Sequence, residues 1–248
     1  MDQYFAPAPP RVLAHRGLAL DAPENTLAAF AAALAVGATH LETDAHVTRD
    51  GHAVLWHDRT LERFDGDTTP VAELTLADLR RRSVEGHGIP TVVEALDAFP
   101  TARFNIDLKV GGVVEPVVAA IRRTRSRSRV LLASFGEARL ARAVRLLPGV
   151  ARSASSERIA AALLGIELGR DRLVARALDG VAALQIPVRQ AGLTLVAPKR
   201  LAAFRRHVRE VHVWTINDVD TMRELLARGI DGIVTDRADL AVPVVQGR

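Results

Sequence analysis

The feature that most constrains the fold is a recurring alternation. Short apolar runs are each followed by a stretch of helical period, and the pair repeats along the chain. Strand candidates stand at 12–15, 38–44, 103–109, 130–134, 150–153, 181–186, 211–215 and 232–235. Helical stretches between them run over 27–34, 92–99, 113–123, 137–147, 156–178 with a break near Gly169, 198–208 and 219–228. Strands joined through helices run parallel, because a parallel pair needs a long crossover. Eight such units close most economically as a barrel, for which about 250 residues is typical; the chain has 248. An open doubly wound sheet favours a Gly-rich phosphate turn after its first strand, and the sequence has no G-x-G-x-x-G. The expected fold is therefore α/β, a TIM-type (β/α)8 barrel formed as a single domain over 1–248. One further strand candidate, 53–56, falls inside the second strand-to-helix connection, with polar, turn-rich residues at 59–72 and a short helix at 76–82.

Composition narrows the function classes. An apolar fraction of 48% supports a sizeable core, but the apolar runs are short and broken by charge, so no transmembrane segment of about 20 residues is expected. The start MDQYFAPAPPR has no apolar h-region of a secretory signal. There is no cysteine, which excludes disulfides, thiol nucleophiles and Cys-bound zinc and fits a reducing compartment, so the expected location is cytoplasmic. Net charge is +4 with both signs interspersed, and nucleic acid is not an expected partner. The most basic run, RRTRSRSR at 122–129, reads as a solvated helix end, where cations suit the helix dipole. Basic residues are almost all arginine; the lysines are Lys109 and Lys199. A position that takes lysine in so Arg-rich a chain points to a need for the compact ammonium head.

The chemistry concentrates in residues 11–58, bracketed by His15 and His57, and is completed at 107–109. Residues i and i+2 of a strand share a face, so Glu42 and Asp44 point the same way, as do Asp107 and Lys109. Three carboxylates offer hard oxygen ligands with open positions, a set that suits one Mg2+ or Ca2+ better than zinc. Arg16 and Lys109 beside such a cation make a site for a phosphate group. His15 and His57 are suited to general acid and base work near neutral pH. Two histidines, one divalent cation and a phosphate pocket describe phosphodiester cleavage.

His15-Arg16-Gly17, Pro23-Glu24-Asn25-Thr26, Gly37-Ala38, Glu42-x-Asp44, Thr48-x-Asp50-Gly51, His57-Asp58, Asp107-x-Lys109, Ser134-Phe135, Trp214-Thr215-Ile216-Asn217 and the run Gly229 to Asp236 occur in that order. Together they resemble the glycerophosphodiester phosphodiesterase family over nearly the whole chain. The resemblance implies a barrel with a small insertion after the second strand, about 45–88. It implies metal ligands at Glu42, Asp44 and Asp107, acid/base histidines at His15 and His57, phosphate contacts from Arg16 and Lys109, and Trp214 lining the pocket. The implied reaction is hydrolysis of a small glycerophosphodiester to an alcohol and glycerol 3-phosphate, through attack by a glycerol hydroxyl and a cyclic phosphate, a step in lipid and glycerol metabolism. The departure is Asp107, where members often carry glutamate: its carboxylate is one methylene shorter and must approach the ion more closely or reach it through water.

The same residues admit two other readings. A lysophospholipase D-type activity on the same site calls for an apolar groove beside the pocket, and the insertion offers only scattered apolar residues such as Leu61 and Phe64. A non-catalytic phosphodiester-binding barrel is disfavoured, since degenerate relatives lose a histidine or a carboxylate and this chain keeps them all. Glu24, Asn25 and Asn217 read as loop-holding residues, and His40, His46, His52, His87, His207 and His212 as surface or packing residues.

Overall fold

The computed structural model describes residues 3–83 and 86–247. Residues 84 and 85 of the expected insertion, and residues 1, 2 and 248 of the expected domain, lie outside the described residues.

The eight expected strands form one parallel sheet in chain order. Arg11–His15 pairs with His40–Val47, which pairs in turn with Arg103–Leu108, Val130–Ala133 and Ala151–Arg152. On the other side Arg11–His15 pairs with Gly232–Thr235, followed by Glu210–Trp214 and Ala183–Pro187. A single bridge, Ser153 to Ala183, closes the ring. The strands are buried on both faces, which explains their continuous apolar runs. Helices wrap the outside by one apolar stripe each; in Val114–Arg123 the buried set includes Val114, Val117, Val118 and Ile121, one face of a 3.6-residue period.

Several boundaries differ from the sequence reading. The fifth strand shrinks to Ala151–Arg152. The expected break near Gly169 is present: the helical stretch 156–178 is two helices, Ser156–Glu167 and Asp171–Ala177, parted at Gly169 with φ +65°. A hairpin, Arg189–Gln190 with Leu193–Thr194, follows the sixth strand; its turn places Ala191 and Gly192 at positive φ, and alanine gives no signal of that. A closing helix, Ala238–Val245, carries Pro243, which masks its pattern. The second strand runs on to Val47 and takes Ala53–Leu55 as an antiparallel partner, so the insertion starts later than expected. That insertion has its own small core of Val54, Trp56, Leu61, Val71, Leu74, Leu79 and Ile89. The basic run is not wholly a solvated helix end: Arg129 is buried and donates to the carbonyls of Leu96, Phe99 and Ala102, capping the helix Val92–Ala98.

The floor of the barrel, at the N-terminal strand ends, holds a buried polar cluster. Arg11 donates to Glu210 at 2.6 Å, and His212 Nε2 lies 2.9 Å from the same carboxylate. His40 Nε2 stands 2.7 Å from the Tyr4 carbonyl, which accepts its N–H, and 3.1 Å from the Arg11 guanidinium. Burial, and then the arginine charge, press the His40 pKa down to about 3. Tyr4 and Phe5 are buried below this cluster, so the N-terminal segment packs under the barrel.

Candidate active site

The opposite end carries the ionisable residues. His15 ends the first strand, and the chain then turns through Arg16 at φ +56° and Gly17 at φ +89°. A side chain at Gly17 would place its Cβ 2.7 Å from the Ala29 carbonyl carbon, so this turn lies hard against the helix Leu27–Ala35, which Thr26 caps. The left-handed conformation is uncommon for arginine and is the kind of local strain found at functional sites. The Arg16 N–H donates to the Glu42 carbonyl at 2.9 Å, fixing the turn to the second strand.

Strand register does the rest. His15 is opposite Glu42, Glu42 opposite Asn105, and Asp44 opposite Asp107. Glu42 and Asp44 are buried, as are Asn105 and Asp107. Lys109 Nζ lies 2.8 Å from Asp44 and 2.7 Å from Asp107. Arg16 Nε is 3.1 Å from Asp44, yet it is buried without a hydrogen-bond partner. The carboxylates of one strand are driven apart. Burial, and then the Asp44 charge, push Glu42 up to about 8. Burial would raise Asp44 too, but Lys109 and Arg16 hold it below the ordinary carboxylate range.

Each proposed acid/base histidine has its Nδ1 on a carboxylate. His15 Nδ1 is 2.6 Å from Asp236, and its Nε2 is 3.8 Å from Glu42. His57 Nδ1 is 2.7 Å from Asp58. An imidazole that donates from Nδ1 keeps Nε2 for the reacting group. Burial alone would lower the His15 pKa; Glu42 and the Asp236 hydrogen bond overcome it and raise the ring. Asp236 is fixed by Asn217 at 2.7 Å. Asp58 takes a 2.7 Å bond from Arg63, which reaches Glu24 at 2.7 Å, and Glu24 in turn takes Arg16 at 2.9 Å. Asn25 links Thr43 to Asp44.

The structure thus brings His15, Arg16, Glu42, Asp44, His57, Asp107, Lys109 and Trp214 around one cavity of about 420 Å³. Glu24, Asn25 and Asn217 hold neighbours in place, as expected of them. His46, read as packing, is buried and meets the His57 carbonyl at 3.2 Å, so it positions that segment. Sequence reasoning missed the orienting carboxylates Asp236 and Asp58, although both stand in motifs; Arg63 gave no signal at all.

The donor set can be tested against a hard divalent cation. Among the described residues no three His, Cys, Asp or Glu side chains already stand in ligating geometry, and Lys109 lies between Asp44 and Asp107. Even so, the chemistry fits. Glu42 is a buried carboxylate with too little compensating charge, and the Asn105 side-chain oxygen is buried without a hydrogen-bond partner in the same row. Oxygen donors of this kind, with no sulfur, suit Mg2+ or Ca2+.

Comparison with known proteins agrees with this geometry. The profile of the glycerophosphoryl diester phosphodiesterase family matches residues 15–240. A Mycobacterium tuberculosis protein named probable glycerophosphodiester phosphodiesterase 2 is 39% identical over 95% of this chain and 90% of its own length. The crystal structure of a glycerophosphodiester phosphodiesterase from Agrobacterium tumefaciens superposes with a TM-score of 0.75 at 25% identity, covering 96% of this chain and 99% of that one. An Oleispira antarctica phosphodiesterase, solved in complex with the product sn-glycerol-3-phosphate, superposes with a TM-score of 0.75 at 26% identity over 96% of this chain and 97% of its own.

Proposed function

The chain belongs to the glycerophosphoryl diester phosphodiesterase family, and from that premise we propose that it hydrolyses glycerophosphodiesters to an alcohol and glycerol 3-phosphate by histidine acid/base catalysis. The observation that carries this reading is the pair of imidazoles, each with Nδ1 held by a carboxylate, lining one cavity with Arg16, Lys109 and three buried carboxylates. The sn-glycerol-3-phosphate bound to the Oleispira relative supports the same product here.

In the proposed reaction Arg16 and Lys109 hold the phosphate. One imidazole takes the proton of the glycerol hydroxyl next to it, and that oxygen attacks phosphorus. The other imidazole gives its proton to the departing alcohol oxygen. The cyclic phosphate is then opened by water as the two rings exchange roles. Glu42, Asp44 and Asp107 would hold an Mg2+ or Ca2+ ion, which would supply charge neutralisation for the phosphate. We place the reaction in the cytoplasm, in keeping with the cysteine-free sequence.

The test is turnover of glycerophosphocholine by His15→Ala and His57→Ala, with and without a chelator. Loss of about 10³-fold or more in each variant, with the melting transition retained, is expected of acid/base groups. Full activity in either variant would refute the assignment, and undiminished turnover in EDTA would refute the metal.

A further inference from the structure

The cavity has two halves of opposite chemistry. Every charged or titratable residue lining it falls between His15 and Lys109, whereas the lining residues from 133 onward carry no charge. Within the charged half, His57 and Arg16 do different work in the proposed reaction. Three residues that stand behind the lining join them. His57 Nδ1 donates to Asp58 Oδ1 at 2.7 Å. Arg63 Nε donates to Asp58 Oδ2 at 2.7 Å, and its Nη2 donates to Glu24 Oε1 at 2.7 Å. The same Glu24 oxygen accepts from Arg16 Nη1 at 2.9 Å. Burial would raise the Glu24 pKa; Arg63, and then Arg16, hold it below the ordinary carboxylate range. Arg63 is thus the cation at the centre of a chain of alternating charge.

Arg63 is fixed from below as well. Its guanidinium lies 5.6 Å from the centre of the Trp56 ring, and Trp56 packs with Leu61 and Phe64 in the small core of the insertion. The insertion therefore aims one guanidinium at the charged half from outside the cavity. As a stability device this would be weak: the Arg63 side chain is 49% exposed, and ion pairs so open contribute little to folding. As a spacer it is well suited, because a planar fork holds two carboxylates along two fixed directions, which a lysine ammonium does not. We propose that Arg63 is a positioning residue for the reaction, its fork setting the His57 ring through Asp58 and the Arg16 phosphate grip through Glu24. The inference rests on the phosphodiesterase reading above. The ring that moves a proton and the guanidinium that holds the phosphate are kept in one register. Loss of Arg63 then disturbs proton transfer and phosphate binding together.

The experiment compares Arg63→Met and Arg63→Lys with the wild type by melting, by glycerophosphocholine turnover and by calorimetric binding of glycerol 3-phosphate. Methionine keeps an apolar stem over Trp56 but donates nothing. In that variant kcat should fall by about 10- to 100-fold, the range for a lost orienting partner. Glycerol 3-phosphate should bind about tenfold more weakly, the scale of one loosened charged contact. The melting midpoint should move by less than about 4 °C. Lysine should restore neither kcat nor binding, since one ammonium cannot reproduce the fork. If Arg63→Met folds poorly, Arg63→Lys carries the test, because it keeps both stem and charge. Glu24→Gln, which cuts the Arg16 arm alone, should weaken glycerol 3-phosphate binding to a similar degree and lower kcat by less than about threefold. Values within about twofold of wild type in Arg63→Met overturn the inference, as does full recovery with lysine. Loss of kcat with glycerol 3-phosphate binding intact also overturns it, because Arg63 then serves His57 alone. A wild type that turns over no glycerophosphocholine overturns the phosphodiesterase reading instead.

Discussion

Replacing Glu210 with leucine should destabilise the protein severely and leave catalysis alone. Glu210 and Arg11 are 3% and 2% exposed and meet at 2.6 Å. Without the carboxylate, the Arg11 guanidinium keeps only the Phe5 carbonyl at 3.4 Å as an acceptor, because the neighbouring His40 Nε2 donates to Tyr4. Removing one partner of a buried pair costs about 3–5 kcal/mol, because the other charge is stranded away from water. For a chain of 248 residues the entropy of melting is about 0.5 kcal/mol per kelvin, so the midpoint should fall by about 6–10 °C. Arg11→Met combined with Glu210→Leu should recover most of the loss, since two apolar side chains strand nothing. Calorimetry and urea titration measure both effects. Meanwhile kcat/KM at 25 °C should stay within about twofold of wild type, because Glu210 lies about 13 Å along its strand from Trp214 and touches none of the mouth residues. In TIM barrels that end of the sheet serves stability and the other end serves chemistry. The reasoning is refuted if Glu210→Leu costs less than about 1 kcal/mol, if the double variant is worse than the single, or if the folded single variant loses activity.

Three further outcomes follow from the geometry. Asp236→Asn should lower the His15 pKa in an NMR titration and cut kcat/KM by about 10- to 100-fold with little change in melting; an unmoved ring titration contradicts the orienting role. His40 stays neutral in the fold down to about 3 but titrates at 6.5 when unfolded, so the unfolded chain binds more protons between those values. Stability should be full above about pH 6.5 and fall by up to roughly 1.4 kcal/mol per unit below it, and His40→Gln should flatten that slope in urea titrations at pH 7 and pH 5. Finally, Asp107→Glu should tighten Mg2+ or Ca2+ binding in calorimetry by about tenfold, the scale of one improved contact; weaker binding would mean that the shorter side chain already has the better reach.

What the sequence disclosed and what it hid divide along one physical line. Periodicity reports local structure, so the eight strands and the shared faces of Glu42 with Asp44 and of Asp107 with Lys109 could be read before any coordinates. Contacts between remote segments leave no periodic trace. His15 meets Asp236 across 221 residues, and Arg11 meets Glu210 across 199. The hairpin turn was hidden for a different reason: Ala191 adopts a positive φ that its side chain does not advertise. Arg63 looked like one surface arginine among many, yet it joins Asp58 to Glu24 and so ties the second histidine to Arg16.

The division of the cavity into two halves follows from the barrel itself. Strand order around the ring equals strand order in the chain. A contiguous stretch of sequence therefore becomes a contiguous arc of the mouth. Residues 11–109 supply the first three strands and the insertion, and with them all the charge on the cavity wall. Strands four to seven supply an uncharged arc, and the last strand returns to the charged side, where Asp236 orients His15. Clustering the carboxylates on one arc lets Lys109 and Arg16 serve several of them at once, which lowers the cost of burying like charges. It also leaves the opposite arc free to vary in size and polarity without disturbing a single ion pair of the site. A barrel built this way can change what is attached to the phosphate while keeping fixed how the phosphate is cut.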